Sequence, residues 1–337
     1  ALISRRLHFQ IFDIFTTVHL DFDEFTTMSA PQLADDGFVA AKIDCAAIRE
    51  MYDREGYAIV RGVFSPTEVA EMKERFDSWR HDMLLQHDST FVKGNMRVWV
   101  GTGTDKEGKP TSKKILRGVQ WPSYSDPVLD KYRLDDRVFK IASSIVGPDI
   151  KQIINQMHWK QPKSTTQWRY HQDVRSRKPD AAYRDLFSSY LNMGIAVEPC
   201  TDETGAMHVV PGTHLEKKDF GIEAMAEEMG IDKQPPTKEQ LHELLRRVGA
   251  DPTTLKTLAL EPGDVGLWNP FVIHGGGLNS SSDSHRSFYI QGLVTAANCD
   301  RGHVAFLNGV PQPLGDPVHI QLDNFRETLA ENGRYYP

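Results

Sequence analysis

The chain has 337 residues, 39% of them hydrophobic and 25% charged, the make-up of an ordinary soluble globular protein. A net charge of −7 argues against a nucleic-acid binder, which carries a basic surplus, and no run of about 18 apolar residues is present to span a membrane. The three cysteines, Cys45, Cys200 and Cys299, lie far apart without a CxxC, which fits unpaired, buried thiols in a reducing cytoplasm and excludes a disulfide scaffold.

Residues 1–27 are rich in Phe, Ile and Thr and run into Met28-Ser-Ala-Pro, which reads like a natural start. Asp13, Asp21, Asp23 and Glu24 break the acid-poor pattern of a transit peptide, and the apolar runs are too short for a signal sequence. The segment is an extra strand or an added sequence; residues 1–42 are read as an extension and 43–337 as one domain, since β-barrels with helical additions reach this length. The stretch 57–63 is a strand candidate leading to a helix start, with Ser65 as N-cap, Pro66 in the first helical position and Glu68 completing a capping box. Val69, Met72, Phe76 and Trp79 then recur on one face, which predicts an amphipathic helix of about four turns. A second helix is expected over 136–146, stopped by Gly147-Pro148. Beyond it, short apolar runs at 153–160, 190–197, 206–210, 258–260, 264–268 and 287–295 are separated by Pro, Gly, Asn and Asp. Such punctuation predicts an antiparallel sandwich or barrel. A helical block at 238–248, with Leu241, Leu244, Leu245 and Val248 on one face, sits in an insertion over 216–256, a place where barrels carry lids or dimer elements.

Two imidazoles and one carboxylate on one face leave three coordination positions open, as a ferrous site needs if it is to bind a chelating cosubstrate and O2. On a strand, residues i and i+2 share a side, so His-x-Asp delivers two such ligands together. A bare His-x-Asp is weak, since roughly one is expected by chance from composition alone. His19-Leu20-Asp21 and His214-Leu215-Glu216 are decoys, and His214 is read as orienting a turn. His171-Gln172-Asp173 follows a strand candidate, while His274 follows a turn and a strand and leads into Gly275-Gly276-Gly277, glycines that permit close backbone approach. Arg286, 12 residues beyond His274, opens another alternating strand, and a guanidinium is the natural fork for the distal carboxylate of 2-oxoglutarate.

With these residues in place, the chain resembles the phytanoyl-CoA dioxygenase family, a branch of the 2-oxoglutarate oxygenases. The matching blocks are Gly56-Tyr-Ala-Ile-Val-Arg-Gly-Val-Phe-Ser, Trp159-Lys-Gln-Pro leading to Tyr170-His-Gln-Asp, Ile195 through His214, Glu261-Pro-Gly-Asp-Val, and His274 through Arg286. Gly205-Ala, followed after three residues by Val210-Pro-Gly-Thr-His214, is the most particular of them. The resemblance implies a mainly β, double-stranded β-helix (jelly-roll, cupin-like) core with flanking helices. It also implies Fe(II), 2-oxoglutarate and O2 as reactants, succinate and CO2 as products, and ascorbate as a stimulant. His171, Asp173 and His274 carry over as metal ligands and Arg286 as the cosubstrate anchor. Asp173, where the halogenase variant would have Gly or Ala, excludes halogenation. Gly276, Thr204-Gly205 and Gly194 depart from common family residues and are expected to widen or reshape the pocket.

Other site residues follow from parity. Arg169, two before His171, is expected on the interior side, pairing with the cosubstrate C1 carboxylate, an acidic substrate or a rim acid. On the strand 153–160 either Asn155, Met157 and Trp159 or Gln156, His158 and Lys160 face inward; the second set is preferred, with Gln156 as a cosubstrate amide partner. Asn192 is placed on the cosubstrate, Trp168 and Trp268 in the pocket lining, and Arg175, Arg177 and Lys178 on an anion-steering rim. Together these imply hydroxylation, desaturation or cyclisation at an unactivated C–H bond of a small polar or anionic metabolite, and not a CoA thioester. A cupin-like metalloenzyme of another class and a non-catalytic metal-binding barrel are the rival readings.

Overall fold

The computed structural model describes residues 42–86, 89–104, 110–164, 168–232, 235–315 and 335–336; the extension over 1–41, with His19 and Asp21, lies outside them. In chain order the elements are α1 (Cys45–Glu55), β1 (Tyr57–Val60), α2 (Pro66–Gln86), β2 (Phe91–Lys93), β3 (Met96–Thr104), β4 (Pro110–Gln120), α3 (Pro127–Arg133) and α4 (Asp136–Val146). They continue with β5 (Ile150–Lys160), β6 (Trp168–His171), α5 (Leu186–Ser189), β7 (Tyr190–Ala196), β8 (Met207–Val210), α6 (Ile222–Glu228), α7 (Lys238–Arg247), β9 (Lys256–Leu258), β10 (Val265–Trp268), β11 (Ile273–Gly276) and β12 (Arg286–Thr295).

The helix starts are written in side chains. Asp44 accepts from the Ala46 and Ala47 amides at α1, Asp126 caps α3, and Thr237 with Gln240 forms a capping box at α7. At α2 the expected box is present: Glu68 Oε2 accepts from Ser65 N–H at 2.8 Å, and Ser65 Oγ accepts from Glu68 N–H at 3.3 Å. α2 runs 21 residues rather than about four turns, because Met83 continues the apolar stripe one turn past Trp79. Each of Val69, Met72 and Phe76 is buried, a gain of about 1.5–3 kcal/mol apiece.

A large sheet runs β1-β10-β7-β12-β5-β4-β3-β2, and a small one β6-β11-β8-β9. The two form a double-stranded β-helix, with α1 to α4 packed on the outer face of the large sheet and α6 and α7 against the small one. Strand alternation divides the large sheet. Met157 and Trp159 on β5, Met193 and Ile195 on β7, and Tyr289 on β12 join the helix-side core. Ile154, Gln156, His158, Asn192, Phe288 and Ile290 line a cavity on the other face. The segment 91–120, in which sequence shows no motif, forms β2 to β4, whose Val98, Val100, Leu116 and Val119 are buried. Gly101 and Gly103 interrupt an alternation that is otherwise that of a strand.

Candidate active site

β6 and β11 pair so that His171 stands directly opposite His274, and Asp173 follows at the start of the tight turn Asp173–Ser176. The imidazole centroids are 4.3 Å apart. Asp173 Oδ1 lies 3.7 Å from His171 Nε2, and Oδ2 lies 3.4 Å from His274 Nε2. One donor atom from each of the three residues falls within 4.8 Å of the other two. Gln172, between the two motif ligands, points the other way and donates to the Lys218 and Phe271 carbonyls.

Each donor is fixed from behind. His171 Nδ1 meets the Arg169 carbonyl at 2.7 Å and His274 Nδ1 meets the Val272 carbonyl at 3.0 Å. A carbonyl only accepts, so Nδ1 carries the hydrogen in both rings and each Nε2 lone pair is turned inward. Asp173 Oδ2 accepts from Asn192 Nδ2 at 2.6 Å and from Trp268 Nε1 at 2.9 Å. Behind Asn192, its Oδ1 accepts from the Tyr190 hydroxyl, which in turn accepts from buried Arg177. Burial would raise the Asp173 carboxyl, but His274, His171 and Arg177 outweigh it and hold the group well below the usual carboxylate range. Burial, helped by His171, pushes His274 down to about 4, whereas for His171 the neighbouring Asp173 carboxylate overcomes burial and raises it. Two imidazoles that present Nε2 and one carboxylate would suit a divalent cation of the ferrous type, which takes both imidazoles in their neutral form.

The triad opens into a cavity of about 510 Å³. Arg286, 4% exposed, lines it. Among the described residues its Nε has no hydrogen-bond partner, and its Nη2 makes a long 3.5 Å contact to the Gly205 carbonyl. Opposite it on β5 is Lys160, 2% exposed, donating to the carbonyls of Gly205 and Gly277. Burial, then Arg286, drives this amine well below its ordinary value.

Gln156 lines the cavity, and the parity of β5 follows the preferred set. Arg169 does not: it is exposed, lies 4.0 Å from Asp232, and borders a separate hollow with Glu223 and Asp232. The β6–β11 register shifts between the His171–His274 and Trp168–Gly276 pairs, so an extra residue on β6 breaks the alternation and Arg169 borders α6 and α7 instead of the cavity. Arg175 pairs with Glu223 and Lys178 with Asp180 at the surface, so of that run Arg177 alone reaches the cavity wall. Asn192 bonds Asp173. Trp268 lines the cavity; the Trp168 side chain lies outside the described residues. His214 donates through Nε2 to the Asp53 carbonyl and stacks on Phe187, the turn-orienting part expected of it. The room expected at Gly194 is filled: a Cβ there would lie 2.3 Å from the Phe288 ring, which stacks on Trp268. Sequence reading missed Arg97, Trp99 and Gln120 in the lining; the alternation Met96, Val98, Val100 was the available signal.

A family model described as phytanoyl-CoA dioxygenase (PhyH) matches residues 52–287. A probable alpha-ketoglutarate-dependent hypophosphite dioxygenase of Stutzerimonas stutzeri is 25% identical over 74% of this chain and 77% of its own length. The ectoine dioxygenase of Sphingopyxis alaskensis is 21% identical over 81% of this chain and 84% of its own. The crystal structure of EctD from S. alaskensis with bound Fe superposes with a TM-score of 0.55 at 18% identity, covering 86% of this chain and 90% of that one.

Proposed function

The chain belongs to the phytanoyl-CoA dioxygenase family, and from that premise we propose that His171, Asp173 and His274 hold Fe(II) and that Arg286 anchors the distal carboxylate of 2-oxoglutarate. The enzyme is a 2-oxoglutarate-dependent non-haem iron dioxygenase. Its reaction is oxidation of an unactivated C–H bond in a small polar or anionic metabolite, by hydroxylation, desaturation or cyclisation. The observation that carries this is Arg286: a buried guanidinium whose Nε has no partner among the described residues, in the wall of the cavity the triad opens into. A buried cation is costly unless an anion meets it, and a carboxylate-bearing cosubstrate supplies one.

Iron, when bound, supplies the oxygen chemistry that couples oxidative decarboxylation of the cosubstrate to substrate oxidation. The chain's own part is positioning. The Arg169 and Val272 carbonyls set both imidazole tautomers, and Asn192 with Trp268 holds one Asp173 oxygen, directing the carboxylate toward the imidazoles. Arg286 fixes the far end of the cosubstrate. Phe288, Trp268, Ile154 and Ile290 give the cavity apolar walls that exclude water around the reacting groups.

The domain is taken to begin near residue 43, with α6 and α7 forming the insertion over 216–256. Among the described residues no helix is long and apolar enough to cross a membrane, and the three unpaired cysteines fit a cytoplasmic enzyme. Anaerobic titration with Fe(II) and 2-oxoglutarate tests the reading: a weak visible charge-transfer band needs both components. A metal band indifferent to 2-oxoglutarate would instead indicate a cupin-like enzyme of another class, and no metal uptake a non-catalytic barrel.

A further inference from the structure

The cavity face of the large sheet carries its side chains in rows set by register. In one row Arg97 on β3 stands opposite Gln120, Gln120 opposite Gln156, and Gln156 opposite Ile290. Two residues along, Trp99 is opposite Gly118, Gly118 opposite His158, and His158 opposite Phe288. Two further along, Lys160 is opposite Arg286. Arg97 and Arg286 therefore sit at diagonal corners, three strands and four residues apart, roughly 14 Å across and 13 Å along by ordinary sheet spacings.

The supports of the triad, Asn192 and Trp268, lie on β7 and β10, while Arg97 lies on the opposite flank, beyond β12, β5 and β4. A cosubstrate stretched between the triad and Arg286 leaves that flank of the cavity to something else. Its furniture is specific. The Arg97 guanidinium sits 5.0 Å over the Trp99 ring, and burial pushes it down to about 10. Trp99 can lie against Gly118 because that residue has no side chain: a Cβ there would be 2.8 Å from the indole. The Trp99 ring meets the guanidinium as a cation–π contact, whereas an oxyanion is recognised through guanidinium N–H donors, so one arginine suits both kinds of contact. The Gln120 and Gln156 amides, next in the row, offer neutral donors and acceptors between this corner and the middle of the cavity.

We propose that Arg97, stacked on Trp99, anchors the anionic end of the substrate, which is an elongated molecule bearing a carboxylate, phosphonate or sulfonate at the end remote from the carbon presented to the triad. Gln120 and Gln156 bond its polar middle. This rests on the oxygenase reading of the cavity given above, and it moves the anion site from the basic run after Asp173 to the β3–β4 hairpin.

The test uses the full chain with 2-oxoglutarate present and follows tryptophan fluorescence, because Trp99 lies in the subsite. The probes are straight-chain carboxylates, alkylphosphonates and alkylsulfonates of increasing length, with the matching primary amides as neutral controls. Wild type is expected to bind the oxyanions at least about tenfold more tightly than the amides, and Arg97→Gln to lose about tenfold or more for the oxyanions alone. Arg97→Lys, which keeps the charge and loses the fork, falls between. The Fe(II)–2-oxoglutarate band stays unchanged in both variants. Equal binding of oxyanions and amides by wild type, no binding of any probe, or undiminished oxyanion binding by Arg97→Gln overturns the proposal. Loss of the cosubstrate band in Arg97→Gln overturns it too, by assigning Arg97 to 2-oxoglutarate. Absence of the band in wild type is a separate failure, that of the oxygenase reading.

Discussion

One wall of the cavity is made by the small sheet and the turn after it: His171 and Asp173 lie within three residues, and His274 is the direct cross-strand partner of His171. The facing wall is made by the large sheet, where Arg97, Gln120, Gln156 and Arg286 come from four strands spread over residues 97–286. The first wall needs one short motif and one strand pairing. The second needs three successive registers, and a slip of one residue in any of them would turn its polar row toward the helices. The small-sheet wall is thus expected to fail by loss of single donors, and the large-sheet wall by graded loss of affinity.

The sharpest contrast is at the donors. His171→Ala, Asp173→Ala and His274→Ala are each expected to abolish turnover and to remove tight Fe(II) binding. His214→Ala is expected to keep the metal, because His214 is engaged with the Asp53 carbonyl and Phe187. Equilibrium dialysis of Fe(II) decides it; retention of metal by His171→Ala or Asp173→Ala would dissolve the distinction between the walls.

On the opposite wall, Arg286→Gln is expected to keep Fe(II) binding and to weaken 2-oxoglutarate. Loss of a buried charged pair costs about 2–5 kcal/mol, or roughly one and a half to three and a half decades in affinity. The cosubstrate concentration needed for half-maximal succinate release reads this directly. A parallel loss of metal affinity would mean that the two walls do not act separately.

The same contrast explains what could be read from sequence. His-x-Asp, the late His and the Arg at a fixed offset are local or spaced signals, and alternation with caps located α2, α4, α7 and most of the strands. The parity of β5 was legible as two alternatives, because a strand declares its two faces without saying which is inside. Arg169 was misplaced because the i, i+2 rule assumes an unbroken strand, whereas the β6–β11 register shifts between the His171–His274 and Trp168–Gly276 pairs and breaks the alternation there. Arg97 and Trp99 were missed for another reason: the alternation of Met96, Val98 and Val100 puts them together on the other face of β3, but that this face meets the cavity depends on which strands neighbour β3, and no local pattern carries that information.

Acid titration probes the large-sheet wall by another route. Burial, then the charges of Arg286 and Lys160, lowers His158 to about 3. In the unfolded chain the imidazole has its ordinary value near 6.5, so below that pH the unfolded state binds a proton the folded state refuses. The stability gained from a neutral His158 is therefore present above about 6.5 and is lost as pH falls toward 3. At pH 5 the loss is about 2 kcal/mol. His158→Gln, which cannot titrate, is expected to narrow the drop in urea stability of the metal-free protein between pH 7 and pH 5 by that amount. An equal drop in both proteins would place a charged or solvated imidazole on this wall.

The smallest expected effect belongs to the residues sequence places beside the motif. Arg169 is 53% exposed on its side chain and 4.0 Å from Asp232, Arg175 pairs with Glu223 and Lys178 with Asp180 in the same exposed way. Pairs of this kind contribute about 0–1 kcal/mol because water and salt screen them. They lie outside the cavity lining, with Arg175 and Lys178 bordering a separate surface hollow, so neither metal, cosubstrate nor substrate should sense their charge at short range. Arg169→Gln, Arg175→Gln and Lys178→Gln are expected to leave kcat and the 2-oxoglutarate requirement within about twofold of wild type at moderate salt. Steering of an anionic substrate by the surface field would still appear as a fall in kcat/KM that grows as salt is removed, whereas a contact to bound substrate would persist at high salt. A salt-resistant loss of tenfold or more in Arg169→Gln would return that residue to the site and displace the Arg97 corner as the place where substrate charge is read.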